Sequence, residues 1–183
     1  ANVHLSIEMP VRQIQDYVNL YLPEDIGVMQ MEEAPQRFHA RLSAVRKTYC
    51  YRIFNSSSPN VFERKWMHTI EERLDVEAMQ IAARYLVGIH DFMAFCRNPS
   101  KKKSTVRTIY NLEVVRKGEE VDIIISGNVF LHNMVRIVAG TLAEVGAGDK
   151  QPLEVKQILE EGIRENAGAM LPAKGLILQS VDY

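Results

Sequence analysis

Long hydrophobic runs are missing from this chain. No stretch of ~18 consecutive apolar residues occurs in its 183, so no membrane-spanning helix is expected and no membrane partner. The first residues, ANVHLSIEMP, lack the basic-then-apolar order of a secretion signal, and the cytoplasm is the expected compartment. Cysteine is scarce. Cys50 and Cys96 stand far apart in apolar surroundings, without the C-x-x-C spacing of a metal or redox site, and read as buried thiols. His4, His39, His68, His90 and His132 are scattered singly, so no metal is expected. A glycine-rich phosphate loop, internal repeats, low-complexity segments and a Pro/Gly-rich interdomain linker are absent as well.

Net charge is also nearly absent, at −1, which argues against attraction of the whole molecule to nucleic acid. Its distribution is uneven. RNPSKKKSTVR, from Arg97 to Arg107, holds five cations and no anion, whereas Glu154, Glu160, Glu161 and Glu165 restore the balance further on. That basic stretch, with Lys101, Lys102 and Lys103 at its centre, is read as a loop: a solvated charge run in the plain reading, a phosphate contact in the sharper one.

What is present is an ordinary globular composition, 46% apolar and 25% charged, over a length that suits one domain or a large part of one. Pro10 introduces a helix with Val11, Ile14, Val18 and Tyr21 at helical spacing, ended by Pro23. Residues 27–33 alternate weakly, as a strand would. KTYCYRIF, 47–54, alternates firmly, with Lys47, Tyr49, Tyr51 and Ile53 on one face. With Arg37, Arg41 and Arg46 just upstream, that row interleaves cations with aromatics, as single-stranded or flipped-base recognition does; an ordinary amphipathic strand explains it equally.

Asp75 predicts an N-cap for a helix through Val76, Met79, Ala83 and Leu86, closed by Gly88. Thr108–Arg116 and Glu120–Ser126 read as a hairpin turning at Lys117 and Gly118, and Ile123 to Ile125 predict a central strand buried on both faces. An acidic helix from about Pro152 to Glu161 and a last strand within KGLILQSVDY complete the chain. Helices and strands mix without βα alternation, so the expected class is α+β, a mixed and mostly antiparallel sheet with flanking helices.

The stretch from Gly127 to Gly146, GNVFLHNMVRIVAGTLAEVG, predicts an amphipathic helix. Leu131, Met134, Val135, Val138, Leu142 and Val145 form its buried stripe; Ala139, Gly140 and Ala143 let another backbone approach the opposite flank. Arg136, the one charge on that flank, needs a carboxylate, phosphate or carbonyl cluster if it is desolvated. A structural ion pair and a charge that orients a catalytic anion or substrate phosphate both remain open from residue chemistry.

Five segments in register resemble the tRNA pseudouridine synthase A family: RFHARLSAVRKTYCYRI at 37–53, GIHDFMAF at 88–95, TVRTI at 105–109, the 127–146 stretch, and KGLIL at 174–178. The resemblance implies a pseudouridine synthase-like fold and an enzyme that isomerises uridine to pseudouridine in the anticodon arm of tRNA, with no metal or organic cofactor. It also implies a homodimer with tRNA as partner. An aspartate is the family's nucleophile, an arginine pairs with it, and a tyrosine stacks near the target base. Those last two roles fall on Arg136 and Tyr49, and Leu176 matches an apolar residue of the base pocket. Arg41, Lys47, Lys101, Lys102 and Lys103 are the further candidates for substrate contact.

The family's aspartate lies in a motif of the kind G-R-T-D-x-G-V-H, and none of the seven aspartates here, Asp16, Asp25, Asp75, Asp91, Asp122, Asp149 and Asp182, stands in such a context. Register with the family puts the nucleophile slightly before Ala1. The expectation is a single fragment, 1–183, covering most of the catalytic domain without its N-terminal part and inactive by itself. A non-catalytic RNA-binding protein on the same scaffold, or an interaction domain without RNA, are the competing readings.

Overall fold

The computed structural model describes residues 1–6, 8–98 and 103–183. They form two compact units, 1–44 and 45–183. In the first, α1 (Val11–Tyr21) starts after Pro10, whose carbonyl accepts from the Gln13 and Ile14 amides, and stops before Pro23. Residues 27–33, expected to be a strand, are not one. Their backbone groups are engaged by side chains one helical turn apart on α1. Gln15 Nε2 donates to the Val28 and Met29 carbonyls at 3.0 and 3.1 Å, and Asn19 both donates to and accepts from Val28 at 2.9 and 2.7 Å. Amide side chains here take the place of a strand ladder.

The second unit is built on a six-stranded sheet. Its strands are β1 (Arg46–Asn55), β2 (His68–Ile70), β3 (Gly88–Asp91), β4 (Val106–Lys117), β5 (Glu120–Gly127) and β6 (Leu176–Asp182). The order is β2-β1-β5-β4-β3, and the edge of β1 away from β5 is shared by β6, paired over Arg46–Tyr51, and the short β2, paired over Ile53–Asn55. Only the β1–β2 pairing is parallel among the described strands. A mixed, mostly antiparallel sheet with helices is what the sequence predicts, although β2 and β3 are too short to show a period of two.

Three helices, α2 (Val76–Arg84), α3 (Met134–Ala147) and α4 (Pro152–Glu161), bury one face of this sheet. On that face Tyr51 and Ile53 lie beside Ile123 and Val121, and across β5 Val114 lies opposite Ile123 and Leu112 opposite Ile125. A register shift at Tyr110 in β4 resets the alternation, so that Ile109 as well as Leu112 and Val114 turn inward. Asp75 caps α2 as expected, accepting from the Ala78 amide. That helix ends at Arg84, and Gly88, at φ +118°, opens β3 instead of closing α2.

Two further expectations need correction. β5 is central, yet of its isoleucines only Ile123 and Ile125 are fully buried; Ile124 faces the uncovered side and is half-buried. And α3 begins only at Met134, after a turn through 128–133, so Leu131 precedes it. Eleven of its fourteen residues are buried, because it lies between the sheet, α2 and residues 167–171, which cross its small-residue flank. A Cβ on Gly140 would collide with the Ala169 carbonyl oxygen, so the bare glycine is what lets that backbone lie on the helix.

Candidate active site

The row Lys47, Tyr49, Tyr51 and Ile53 runs along β1 on the helix-covered face, and cover gives out along it. Ile53 and Tyr51 are wholly buried; Tyr49 and Lys47 are half-exposed. Tyr49 pairs with Leu178 on one side and Ile125 on the other, and its ring meets the edge of Phe130 at 5.2 Å and 87°. Leu176, opposite Tyr51, and Leu131 add apolar surface at this rim of the core. The structure thus brings Tyr49 and Leu176 to one open end of the sheet, with Lys47 one step beyond.

Arg136 is the third residue of α3 and is half-buried. Its Nε donates to the Leu171 carbonyl at 2.6 Å and its Nη1 to Asn133 Oδ1 at 3.3 Å, while its own carbonyl accepts from the Leu171 amide at 3.3 Å. No carboxylate among the described residues pairs with it. The structural ion pair left open by residue chemistry is therefore not what holds it. Neutral oxygens hold the guanidinium in place and leave its charge unneutralised.

Beneath the rim, the Tyr51 phenol donates to the Pro172 carbonyl at 2.7 Å. Burial pushes its pKa upward and the nearby positive charge of Arg136 opposes that shift, which places the two side chains within electrostatic reach. Leu171 and Pro172 thus hold both, one carbonyl each. Three residues on, Gly175 presses against Tyr51, since a Cβ there would stand 2.9 Å from Cζ of the ring, and the chain then enters β6 at Leu176. Residues 171–176 form a strap that sets Arg136, Tyr51 and Leu176 relative to one another. Sequence reasoning missed it, because its working atoms are main-chain carbonyls.

Sequence reasoning also missed Asn133. It stands at the start of α3 with φ +61° and makes no side-chain cap; its oxygen serves Arg136 and its Nδ2 approaches His132 Nε2 at 3.3 Å. His132 in turn meets the Arg97 backbone twice, through Nδ1 at 3.2 Å and through its carbonyl at 3.3 Å. The basic stretch is thereby tied at its first residue to the helix that carries Arg136. Lys103 is exposed, and Lys101 and Lys102 lie outside the described residues. Arg41 is an exposed residue of the 1–44 unit.

No group of three or more potential metal ligands occurs among the described residues. A surface cavity of about 600 Å³, lined by residues such as Tyr85, His90 and Lys156, shares no residue with the rim.

A phenol and leucines thus line the open end of the sheet, in the same unit as a guanidinium that no carboxylate among the described residues neutralises. Enzymes that act on a nucleotide base hold the flipped target by stacking it between aromatic and apolar side chains. A family model described as tRNA pseudouridine synthase matches residues 82–183. A protein named tRNA pseudouridine synthase A 2 from Bacillus cereus (strain ZK / E33L) is 43% identical over 183 residues, covering 100% of this chain and 75% of its own. The protein of that name from Clostridium perfringens is 38% identical, and a tRNA pseudouridine synthase A from Bacillus sp. strain KSM-64 is 42% identical, with the same coverage. The chain belongs to the tRNA pseudouridine synthase family. No helix among the described residues is long and apolar enough to cross a membrane.

Proposed function

We propose that this chain carries the base pocket and the orienting arginine of an enzyme that isomerises uridine to pseudouridine in the anticodon arm of tRNA. The reaction breaks the bond from C1′ of the ribose to N1 of uracil and makes one from C1′ to C5; the C5 proton leaves and N1 gains one, so nothing is added or lost. A uridine within an RNA stack cannot offer C1′ or its ring to a side chain, and flipping it out costs roughly a few kcal/mol. Tyr49 receives the flipped ring against its face and Leu176 walls it. Lys47, at the mouth, meets a neighbouring phosphate, and the basic stretch with Lys101, Lys102 and Lys103, together with Arg41, extends that contact along the tRNA.

The observation that carries the reading is Arg136: half-buried, fixed by the Leu171 carbonyl, and paired with no acid among the described residues. Such a charge favours the ionised form of an arriving carboxylate and sets its direction by charge-assisted hydrogen bonds, as a nucleophilic aspartate requires. On this reading the aspartate comes from a G-R-T-D segment outside residues 1–183, and the active species is a homodimer in the cytoplasm.

Tritium at C5 of uridine is released when the new carbon–carbon bond forms, and this release is the assay. The 183-residue chain alone is expected to release none from unmodified tRNA, and a chain extended upstream through G-R-T-D is expected to turn over. Arg136→Gln in the extended chain is expected to lower kcat by about 100-fold or more while leaving KM within a few-fold. Turnover by the 183-residue chain alone overturns the placement of the nucleophile; an inactive extended chain overturns the isomerase reading.

A further inference from the structure

Between β1 and β2 the chain reads NSSSPNVFERKWM, and residues 61–66 of it are all exposed. Phe62 is 94% exposed and Trp66 64%, while the next residue, Met67, is wholly buried and anchors the loop. The loop has a built turn. Asn60 Oδ1 accepts from the Glu63 amide at 2.9 Å, and the Glu63 carbonyl accepts from the Trp66 and Met67 amides at 2.8 and 3.0 Å. Glu63 carries the loop's negative charge and faces Arg52 at 3.6 Å, whereas Arg64 and Lys65 enter no ion pair among the described residues. A hydrogen-bonded turn therefore presents two aromatic rings to water with two unneutralised cations between them.

Exposed rings flanked by cations without an ion-pair partner among the described residues match a polyanion whose bases have open faces. A protein surface offers fewer anions at that spacing, and nothing in Val61 to Trp66 is arranged as a continuous apolar groove. We propose that residues 60–66 form a second RNA-contact site, at which Phe62 and Trp66 stack on unpaired bases of the bound tRNA and Arg64 and Lys65 meet its phosphates. The site is built by a different segment from the target pocket: the loop leaves the sheet at Asn55 and returns at His68, which pairs with Ile53 on β1. The pocket thus engages one nucleotide while this loop holds another unpaired part of the same molecule. The proposal rests on tRNA being the substrate.

Trp66 is the only tryptophan in the chain, so its emission reads the loop directly. The experiment titrates unmodified tRNA transcript into the chain, following indole emission and, in parallel, the anisotropy of end-labelled tRNA. The expected result is saturable quenching of Trp66 at the same midpoint as the anisotropy. Phe62→Ala and Trp66→Ala are each expected to weaken binding roughly 5- to 100-fold, and Arg64→Ala and Lys65→Ala each to reduce the salt slope by about 1. Circular dichroism of each variant matching the parent shows that folding is intact, as expected for residues this exposed.

Anisotropy that reports binding while Trp66 emission and the affinities of the variants stay unchanged overturns the loop proposal and leaves the isomerase reading standing. The same holds if the substitutions change only the oligomeric state in sedimentation, which makes the loop a protein interface. A lack of tRNA binding by both signals overturns the loop proposal, while the isomerase reading is overturned by an inactive extended chain.

Discussion

Gly140 sets the distance between α3 and residues 167–171, which lead into the strap, and replacing it with alanine tests that close approach. Two effects oppose each other. Alanine gains about 1 kcal/mol of helix propensity over glycine in a helix interior. Against that, its Cβ would occupy the position of the Ala169 carbonyl oxygen, so residues 167–171 must lift from the helix. Three contacts hold them there: the Gly168 amide on Thr141 Oγ1 at 2.9 Å, the Ala169 amide on Glu144 Oε1 at 2.8 Å, and the Leu171 amide on the Arg136 carbonyl at 3.3 Å. At roughly 0.5 to 1.5 kcal/mol for each bond, and about 1 to 3 kcal/mol for an overpacked interior, the loss outweighs the gain.

The expected net destabilisation of Gly140→Ala is about 2 to 4 kcal/mol, which in a chain of this size lowers the melting temperature by roughly 5 to 15 °C. Thermal unfolding followed by far-ultraviolet circular dichroism measures it. Gly27→Ala is the control, since that glycine has nothing within 4 Å of its Cβ position, and it is expected to be neutral or to stabilise by up to about 1 kcal/mol. If Gly140→Ala melts at or above the parent, helix propensity has won and residues 167–171 do not press on α3 at Gly140.

Tyr51→Phe removes the donor to the Pro172 carbonyl and is expected to lower stability by about 1 to 2 kcal/mol in urea unfolding; an unchanged midpoint would remove Tyr51 as a support of the strap. Cys50 gives a pH prediction. Burial, with the negative charge of Asp122 second, pushes its thiol from 9.0 up to about 12, so the folded state favours the protonated form. The stability this adds is complete below the ordinary thiol range and is lost as pH climbs through about 12. In the native protein Cys50 is expected to resist alkylation at pH 9, where a free cysteine is half thiolate, and to react once the chain is unfolded in urea; modification of the native thiol at the free-cysteine rate sinks this account.

Much of the fold was legible because its periods are clean. The apolar residues of α1, the Asp75 cap of α2, the Lys117–Gly118 hairpin and the proline start of α4 are local signals, and the structure places elements at each. Residues 27–33 misled because alternation reports which side chains share a face, whereas a strand also needs a partner backbone, and here Gln15 and Asn19 supply the hydrogen bonds. The start of α3 misled for the opposite reason. A helix buried on nearly every side has no polar face to mark its limits, so the apolar run of the preceding turn reads as part of it. Of the candidate site, Tyr49, Leu176 and Arg136 come from a family resemblance. The strap was not legible, since Leu171, Pro172 and Gly175 act through carbonyls and a missing side chain, which residue type does not announce.

Arg52 and Arg136 show two ways in which this chain holds an arginine. Arg52, on the uncovered face, has Glu120 at 2.5 Å and Glu63 at 3.6 Å, and its charge is spent within the protein. Those partners stabilise its charged form, and the bond to Glu120 holds that carboxyl below its usual range. Arg136 is held as firmly, at 2.6 Å, but by a main-chain carbonyl. A carbonyl fixes a guanidinium without cancelling it, and the wholly buried ring of Tyr51 nearby keeps water from screening it on that side. Replacing Leu171 O by a carboxylate would have given a tighter pair and an inert one. Arg116 is likewise held by neutral oxygens, Asn55 Oδ1 at 2.8 Å and the Leu74 carbonyl at 2.9 Å, so an unneutralised guanidinium alone does not mark a site. Arg136 is singled out by lying within electrostatic reach of Tyr51 on the strap that leads to Leu176, which is the reason the proposal places the arriving anion there and not at Arg52.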